Sequence, residues 1–344
     1  MGWKSPEANV ELNTPARKRM SENIADNLSA NLSESRPQKP AVRRHRMRLF
    51  AQTPRTLLIG MGVTLLGGCL WGINATVSKI LMNTYHATPL WIASIREVFA
   101  GLLFLACAGF SEPRQLLGAV KDLKFYPTYI LGAFFCVMAT QVTYLQAIDW
   151  TNSGTATVLQ ALNLLFVLAI VCIRDRRAPG VRESIGILLA FSGTCLIATN
   201  GDFTTLALPL AGLLWGLADA ASTASMSVIP VKAMQKYGNF AINGIMFLIS
   251  GIGVSAFVQP WKNPPHFDAL GIFLMCFTVI GGTFAAYWLY MSGVMRIGAM
   301  RATMLGTSEP VMATISAVFL TASVFTPVDL VGFALILTMV FLVK

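Results

Sequence analysis

The sequence predicts an all-α integral membrane protein, with ten transmembrane helices built as two inverted five-helix repeats. Three observations carry this. Hydrophobic residues make up 55% of the chain and charged residues only 12%, about half the charge of an ordinary soluble domain. The apolar residues gather into stretches of about 20, enough for a helix to cross ~30 Å of hydrocarbon. Finally, Gly68-Cys69-Leu70-Trp71-Gly72 returns 144 positions later as Gly212-Leu213-Leu214-Trp215-Gly216, in a chain with only 7 tryptophans. Both copies lie in apolar runs, so one membrane unit is written twice.

The apolar runs are continuous rather than alternating. Helices therefore satisfy the backbone inside the bilayer, where a barrel would need a two-residue period. Ten stretches can be drawn, at about 57–80, 90–110, 126–148, 153–173, 183–200, 206–229, 240–260, 269–291, 299–321 and 326–343. A second internal match, Gly154-Thr155-Ala156-Thr157 against Met300-Arg301-Ala302-Thr303, aligns the starts of spans four and nine. The domain boundaries that follow are a tail at 1–56, a first repeat at 57–200 and a second at 206–343. Five spans is an odd number, so the second repeat enters the membrane upside down. Inverted repeats of this kind place a cavity on a pseudo-twofold axis in the membrane plane.

Residues 1–56 are polar and carry eleven Lys/Arg against five Asp/Glu. They hold no apolar periodicity and are expected to be disordered. Arg43-Arg44-His45-Arg46-Met47-Arg48 just precedes the first span, a pattern that keeps a tail cytoplasmic and touches anionic lipid. No nucleic-acid partner is expected. The charged region is too long for a signal peptide. Asn27 and Asn31 sit in glycosylation patterns that a cytoplasmic tail would not expose to that enzyme. Of the other 15 Lys/Arg, twelve fall in the tail-side loops and C-terminus: Arg114, Lys121, Lys124, Arg174, Arg176, Arg177, Arg182, Lys232, Lys236, Arg296, Arg301 and Lys344. The opposite loops carry only Lys262. Both termini are thus expected inside.

Six cysteines lie singly in expected spans, and the three histidines, His45, His86 and His266, lie outside them. Neither set has ligand spacing, so no metal or cofactor is implied. Hydrolase, metalloprotease and phosphate-loop motifs are all absent from the sequence, which argues against an enzyme. A channel or membrane sensor remains a more distant alternative.

Ionisable groups within hydrocarbon are expensive and draw attention. Asp219 lies in mid-span six, with Trp215 and Thr223 on the same helical face at i−4 and i+4. Trp71, Asn74 and Ser78 share a face of span one, with Lys79 beside it. As spans one and six are repeat-related, these faces are expected to meet across a cavity; a helix–helix hydrogen bond is the other reading of Asp219. Glu309 precedes Pro310 in span nine, where the proline frees a carbonyl and bends the helix. Glu309 is either a proton or substrate contact, or a structural residue that props that kink or pairs with a basic residue on another span. Arg96 and Glu97, near the outer end of span two, are gate or ion-pair candidates. Tyr144, Asn163 and Tyr287 complete the substrate-cavity candidates, alongside Thr140, Gln141, Gln160 and Tyr290. The glycines around Trp71 and Trp215 read as close-packing devices.

Taken in order, these motifs resemble the drug/metabolite transporter superfamily, EamA-type branch, over about 57–343. The resemblance rests on G-x-L-W-G in spans one and six, Lys79, Arg96, the small-residue starts of spans four and nine, and Glu309-Pro310. The family's second Glu-Pro is replaced by Asn163-Leu164, so a mechanism with two symmetric acids is not expected. The resemblance implies a secondary transporter of small metabolites, often amino acids, in a prokaryotic plasma membrane, with export the favoured direction. A multidrug or cation exporter and a proton-coupled importer are the alternatives, protons being the coupling ion in the latter. Substrate and oligomeric state are left open.

Overall fold

The computed structural model describes residues 54–202, 204–226, 229–297 and 299–342; the expected tail up to residue 53 lies outside the described residues. Every regular element among the described residues is helical. Helix α1 (Pro54–Tyr85) runs for 32 residues and ends where His86 takes a left-handed backbone, φ 53°. Helix α2 (Pro89–Ser111) starts on a Thr88 cap, whose hydroxyl accepts the Trp91 N–H at 3.2 Å, followed by Pro89 at the first helical position. A short helix α3 (Pro113–Lys121) precedes α4 (Leu123–Trp150), which widens into a π segment over Gly132–Met138.

The fourth span is broken into α5 (Ser153–Gln160) and α6 (Asn163–Asp175). No proline explains that break; the Ala161 N–H is shared between the Thr157 and Val158 carbonyls, which tightens the chain there. Then follow α7 (Val181–Thr199), α8 (Leu210–Met226), the short α9 (Val231–Tyr237) and α10 (Asn239–Val258). Helix α11 runs from Ala269–Cys276 through a π segment, Phe277–Ala285, into Ala286–Ile297. The ninth span is also broken, into α12 (Ala299–Gly306) and α13 (Ser308–Thr321), and α14 (Pro327–Leu342) closes the described chain.

Seven of these runs are long and apolar enough to cross a bilayer, and α13 and α14 are shorter apolar helices. This is an all-α membrane fold, but three of the ten expected spans differ from their expected ranges: among the described residues the sixth and tenth are shorter and the ninth is interrupted. Pro209 disfavours helical backbone in the residue before it, so the sixth begins at Leu210 and has 17 residues. Pro310 lacks the N–H that the Gly306 carbonyl would use, and the ninth span breaks at that point. Pro327 sets the start of the tenth, which has 16 residues among those described.

Helix α2 packs along α10, α7 along α14, and α5 against α13. Helix α1 packs on α11 and α13, while α8 packs on α4, α5 and α6. Small residues allow the close crossings. A Cβ on Gly72 would run into the Glu309 carbonyl and the Ala313 amide; one on Gly216 would run into Leu159. Large apolar side chains such as Phe110, Phe257 and Phe319 point outward, more than 80% exposed, as lipid-facing residues do.

Candidate functional site

The breaks in the fourth and ninth spans face one another across a cavity of about 130 Å³. Thr157 and Gln160 of α5 and Asn163 of α6 form one wall, with Thr307 and Glu309 opposite. Trp71 of α1, Tyr290 of α11, and Leu337 and Val340 of α14 also line it. The Trp71 and Tyr290 rings lie 5.0 Å apart at 44°, and Tyr287 meets Trp71 edge-on at 6.1 Å. Glu309 is the one carboxylate among the described residues of that lining and is half-buried.

Of the expected cavity residues, Trp71, Asn163 and Glu309 line this space. Trp215, half-buried, packs instead on the apolar cluster that holds Tyr144. Asp219 stands behind the wall, fully buried. Its Oδ1 accepts long hydrogen bonds from Thr223 at 3.4 Å and Thr143 at 3.5 Å. The Thr143 hydroxyl has a better acceptor in the Ala139 carbonyl at 2.7 Å, so Asp219 is only weakly held. Gln160, on the cavity wall, lies close to the same carboxylate. Tyr144 is buried in that same apolar cluster.

The remaining expected residues sit elsewhere. Ser78 is buried and donates to the Asn74 carbonyl at 2.9 Å, a helix-internal bond. Lys79 donates to the Asp149 carbonyl at 2.6 Å, which ties α1 to the last turn of α4. Tyr287 donates to Asn243 Oδ1 of α10 at 3.4 Å. Asn74 is buried against Gly282 in the π segment of α11.

Arg96 and Glu97 are both buried yet form no ion pair within 4 Å among the described residues. Arg96 Nε donates to Thr283 Oγ1 at 2.6 Å, and Glu97 accepts from Ser250 of α10. They lie on different helical faces, as adjacent helical residues must. The contribution of Thr307, Leu337 and Val340 was not foreseen. Their only sequence signal is position, since the two apolar ones look like any lipid-facing residue.

Comparison with known proteins decides the family. The EamA-like transporter family model matches residues 58–199 and again 210–344. The chain belongs to that family. An inner membrane transporter of Salmonella typhimurium described as uncharacterized, YicL, is 29% identical over 287 residues, covering 83% of this chain and 95% of its own. The Bacillus subtilis transporter YwfM, also described as uncharacterized, is 24% identical over 276 residues, 79% of this chain and 89% of that one. A solved crystal structure shares the fold at a TM-score of 0.56 and 17% identity, covering 84% of this chain and 97% of that one. As an EamA-family member, the protein is a multi-pass membrane transporter acting on a small-molecule substrate in a lipid bilayer, not an enzyme.

Proposed function

We propose that the protein is a secondary transporter of a small polar metabolite bearing an amino group, such as an amino acid, working by alternating access at the interface of two inverted repeats. The observation that carries this is the cavity between the two broken spans, with one carboxylate and two aromatic rings in its wall. An ammonium group is attracted both by Glu309 and by the faces of Trp71 and Tyr290. Gln160, Asn163, Thr157 and Thr307 supply neutral hydrogen-bonding groups that fix orientation.

The inverted-repeat reading, 57–200 against 206–343, draws support from paired irregularities. The π segments at 132–138 and 277–285 and the breaks at 161–162 and 307 recur at matching places in the two halves. The helix pairings follow the same exchange: α1 on α11 and α13 corresponds to α8 on α4 and α6, while α2–α10 and α7–α14 pair with their own counterparts. Breaks and π bulges are where packed helices change shape most cheaply, which suits two alternating arrangements. By the distribution of basic loops the termini are cytoplasmic, and by resemblance the direction is export from a prokaryotic plasma membrane. Glu309, with Asp219 behind it, is the place for a coupling proton.

The same wall favours a second reading, an exporter of organic cations, because Glu309 is the one charged side chain among its described residues. Counterflow in proteoliposomes separates the two. Labelled amino acids should exchange, while tetraethylammonium should compete weakly or not at all. Exchange of tetraethylammonium without any amino acid would replace the first reading with the second. Exchange of neither would sink both.

A further inference from the structure

A second cavity, of about 210 Å³, lies at the end of the bundle where α4 and α7 stop. Asn152, which caps α5, lines it together with Thr155, Asn200, Phe325 and Asp329 of the first turn of α14. Two elements order it against the first cavity. Helix α5 turns Asn152 and Thr155 to the second cavity and Thr157 and Gln160 to the first. Helix α14 gives Asp329 to the second, and Leu337 and Val340 to the first. Eight residues, about 12 Å of helical rise, separate Asn152 from Gln160 and Asp329 from Leu337. The two cavities therefore lie end to end along one seam. Their chemistry also matches, each wall holding a carboxylate, an aromatic ring and an asparagine. Asp329 Oδ2 accepts the Thr326 N–H at 2.9 Å, while its Oδ1 takes no hydrogen bond among the described residues.

What closes the seam between them is polar. The Thr76 hydroxyl of α1, five residues on from Trp71, lies 2.8 Å from that of Ser153 on α5 and 2.6 Å from that of Ser316 on α13. All three are buried, and Ser316 also donates to the Ala313 carbonyl at 3.2 Å. Beside them α5 and α13 touch, since a Cβ on Gly154 would run into the Phe325 ring and the Thr314 backbone. A seam that never opens is more cheaply filled with apolar side chains. Bonds between neutral hydroxyls add little net stability and can be exchanged for bonds to water. We propose that the second cavity is the other station on the solute's path, taking its ammonium group at Asp329, and that the Thr76–Ser153–Ser316 cluster is the barrier between the stations. When the three helices part, their hydroxyls line the opening with donors and acceptors, so the solute never crosses an apolar wall. The proposal rests on the cavity reading above and adds to it the second site and the route between the two.

The test uses the full chain in membrane vesicles, its six native cysteines replaced, with an impermeant maleimide as reagent. Asn152→Cys should react at least tenfold faster from the face that carries His86, and Gln160→Cys at least tenfold faster from the other face. Val324→Cys, exposed at the second cavity, serves if Asn152→Cys does not fold. Both thiols reacting equally from one face would overturn the barrier. The solute probes are amino acids and tetraethylammonium. A probe that slows labelling of Gln160→Cys at least threefold should also slow that of Asn152→Cys, and Asp329→Asn should abolish the protection at Asn152→Cys alone. Protection at Gln160→Cys without any at Asn152→Cys would overturn the second site, yet leave the Glu309 cavity standing. Protection at neither would remove both. Hydroxyls 2.6 Å apart also put the pair Thr76→Cys and Ser316→Cys within disulfide reach. Oxidising that pair should cut counterflow of the probe at least tenfold, and reduction should restore it. Undiminished counterflow through the oxidised pair would show that the barrier lies elsewhere.

Discussion

Glu309 and Asp219 differ in what surrounds them, and their variants should differ accordingly. Glu309 is half-buried on the cavity wall, beside Pro310 and opposite Asn163. Glu309→Gln keeps the shape and one acceptor while deleting the charge, so membrane levels should be normal. Transport should fall at least tenfold, about 1.4 kcal/mol of lost barrier stabilisation, and its pH dependence should flatten. Wild-type transport in Glu309→Gln would mean the acid only props the break at Thr307. Asp219 is fully buried and takes two long hydrogen bonds. Asp219→Asn should therefore fold, because its amide can still meet the Thr143 and Thr223 hydroxyls. Asp219→Leu should lower melting by several degrees, since it takes the acceptor from Thr223 and puts a branched apolar side chain in a fully buried polar space. Lys79 was drawn in the sequence as part of the cavity face, but a long side chain reaches whatever acceptor is free. Here that acceptor is the last-turn carbonyl of Asp149, a contact between helices that no spacing within span one encodes.

At the scale of elements, two devices hold helices together where side chains are small or loops are short. Gly72 lets α1 approach the backbone of α13, and its Cβ position is occupied on three sides by Glu309, Ala313 and Met312. Gly72→Val should force α1 away by more than rotamers can absorb and cost about 1–3 kcal/mol or more. Gly62→Val on the same helix, where nothing lies within 4 Å, is the control and should melt like wild type. At the loop end, Lys236 of α9 donates to Asp122 Oδ2 at 2.8 Å, Tyr237 donates to the same oxygen, and the ammonium also lies 5.1 Å from the Phe125 ring centroid. The Lys236 bond first, then that of Tyr237, holds the Asp122 carboxyl down to about 2 from an ordinary 3.8, and Asp122 in turn raises Lys236. A depressed carboxyl contributes above its unfolded value and loses that contribution as pH falls through the folded one. A raised ammonium contributes below 10.5 and loses it above. The melting difference between wild type and Asp122→Asn should thus stay constant from pH 5 to pH 9 and close as pH drops from about 4 to about 2. A difference that does not change over that acid range would show that the contact adds nothing to stability. The glycines were legible because G-x-L-W-G occurs twice. The α3–α9 contact was not, because it joins residues 114 positions apart in two polar loops with no periodicity to read.

Across the whole molecule, the sequence resolves class and organisation better than it resolves the site. Hydropathy marks where helices cross, since each span must bury its own backbone whatever its neighbours do. The interruptions of spans four and nine are less visible. Pro310 announces one, but its counterpart at Ala161–Leu162 has no proline and depends on packing against α8 and α13. Orientation comes from charge alone, and it gives the sharpest test of the molecule as a unit. Single cysteines placed in a chain whose six native cysteines are replaced by serine or alanine should be labelled by a membrane-impermeant reagent in whole cells near His86, Asp202 and His266. Positions near Arg114, Arg176, Lys236 and Arg296 should react only after the membrane is opened. Twelve basic residues in the loops and C-terminus expected inside, against Lys262 in the loops expected outside, make this bias large, at about 1 kcal/mol per charge near an anionic surface. Labelling in that pattern would start the helices that carry Trp71 and Trp215 from opposite faces and make the two halves antiparallel. Labelling of Arg114 and Lys236 neighbours on opposite sides would leave an odd number of crossings between them and one repeat the wrong way up. The bonds from Lys236 and Tyr237 to Asp122 already require those two loops to share a side, so that outcome would count against the fold and the inverted repeat alike.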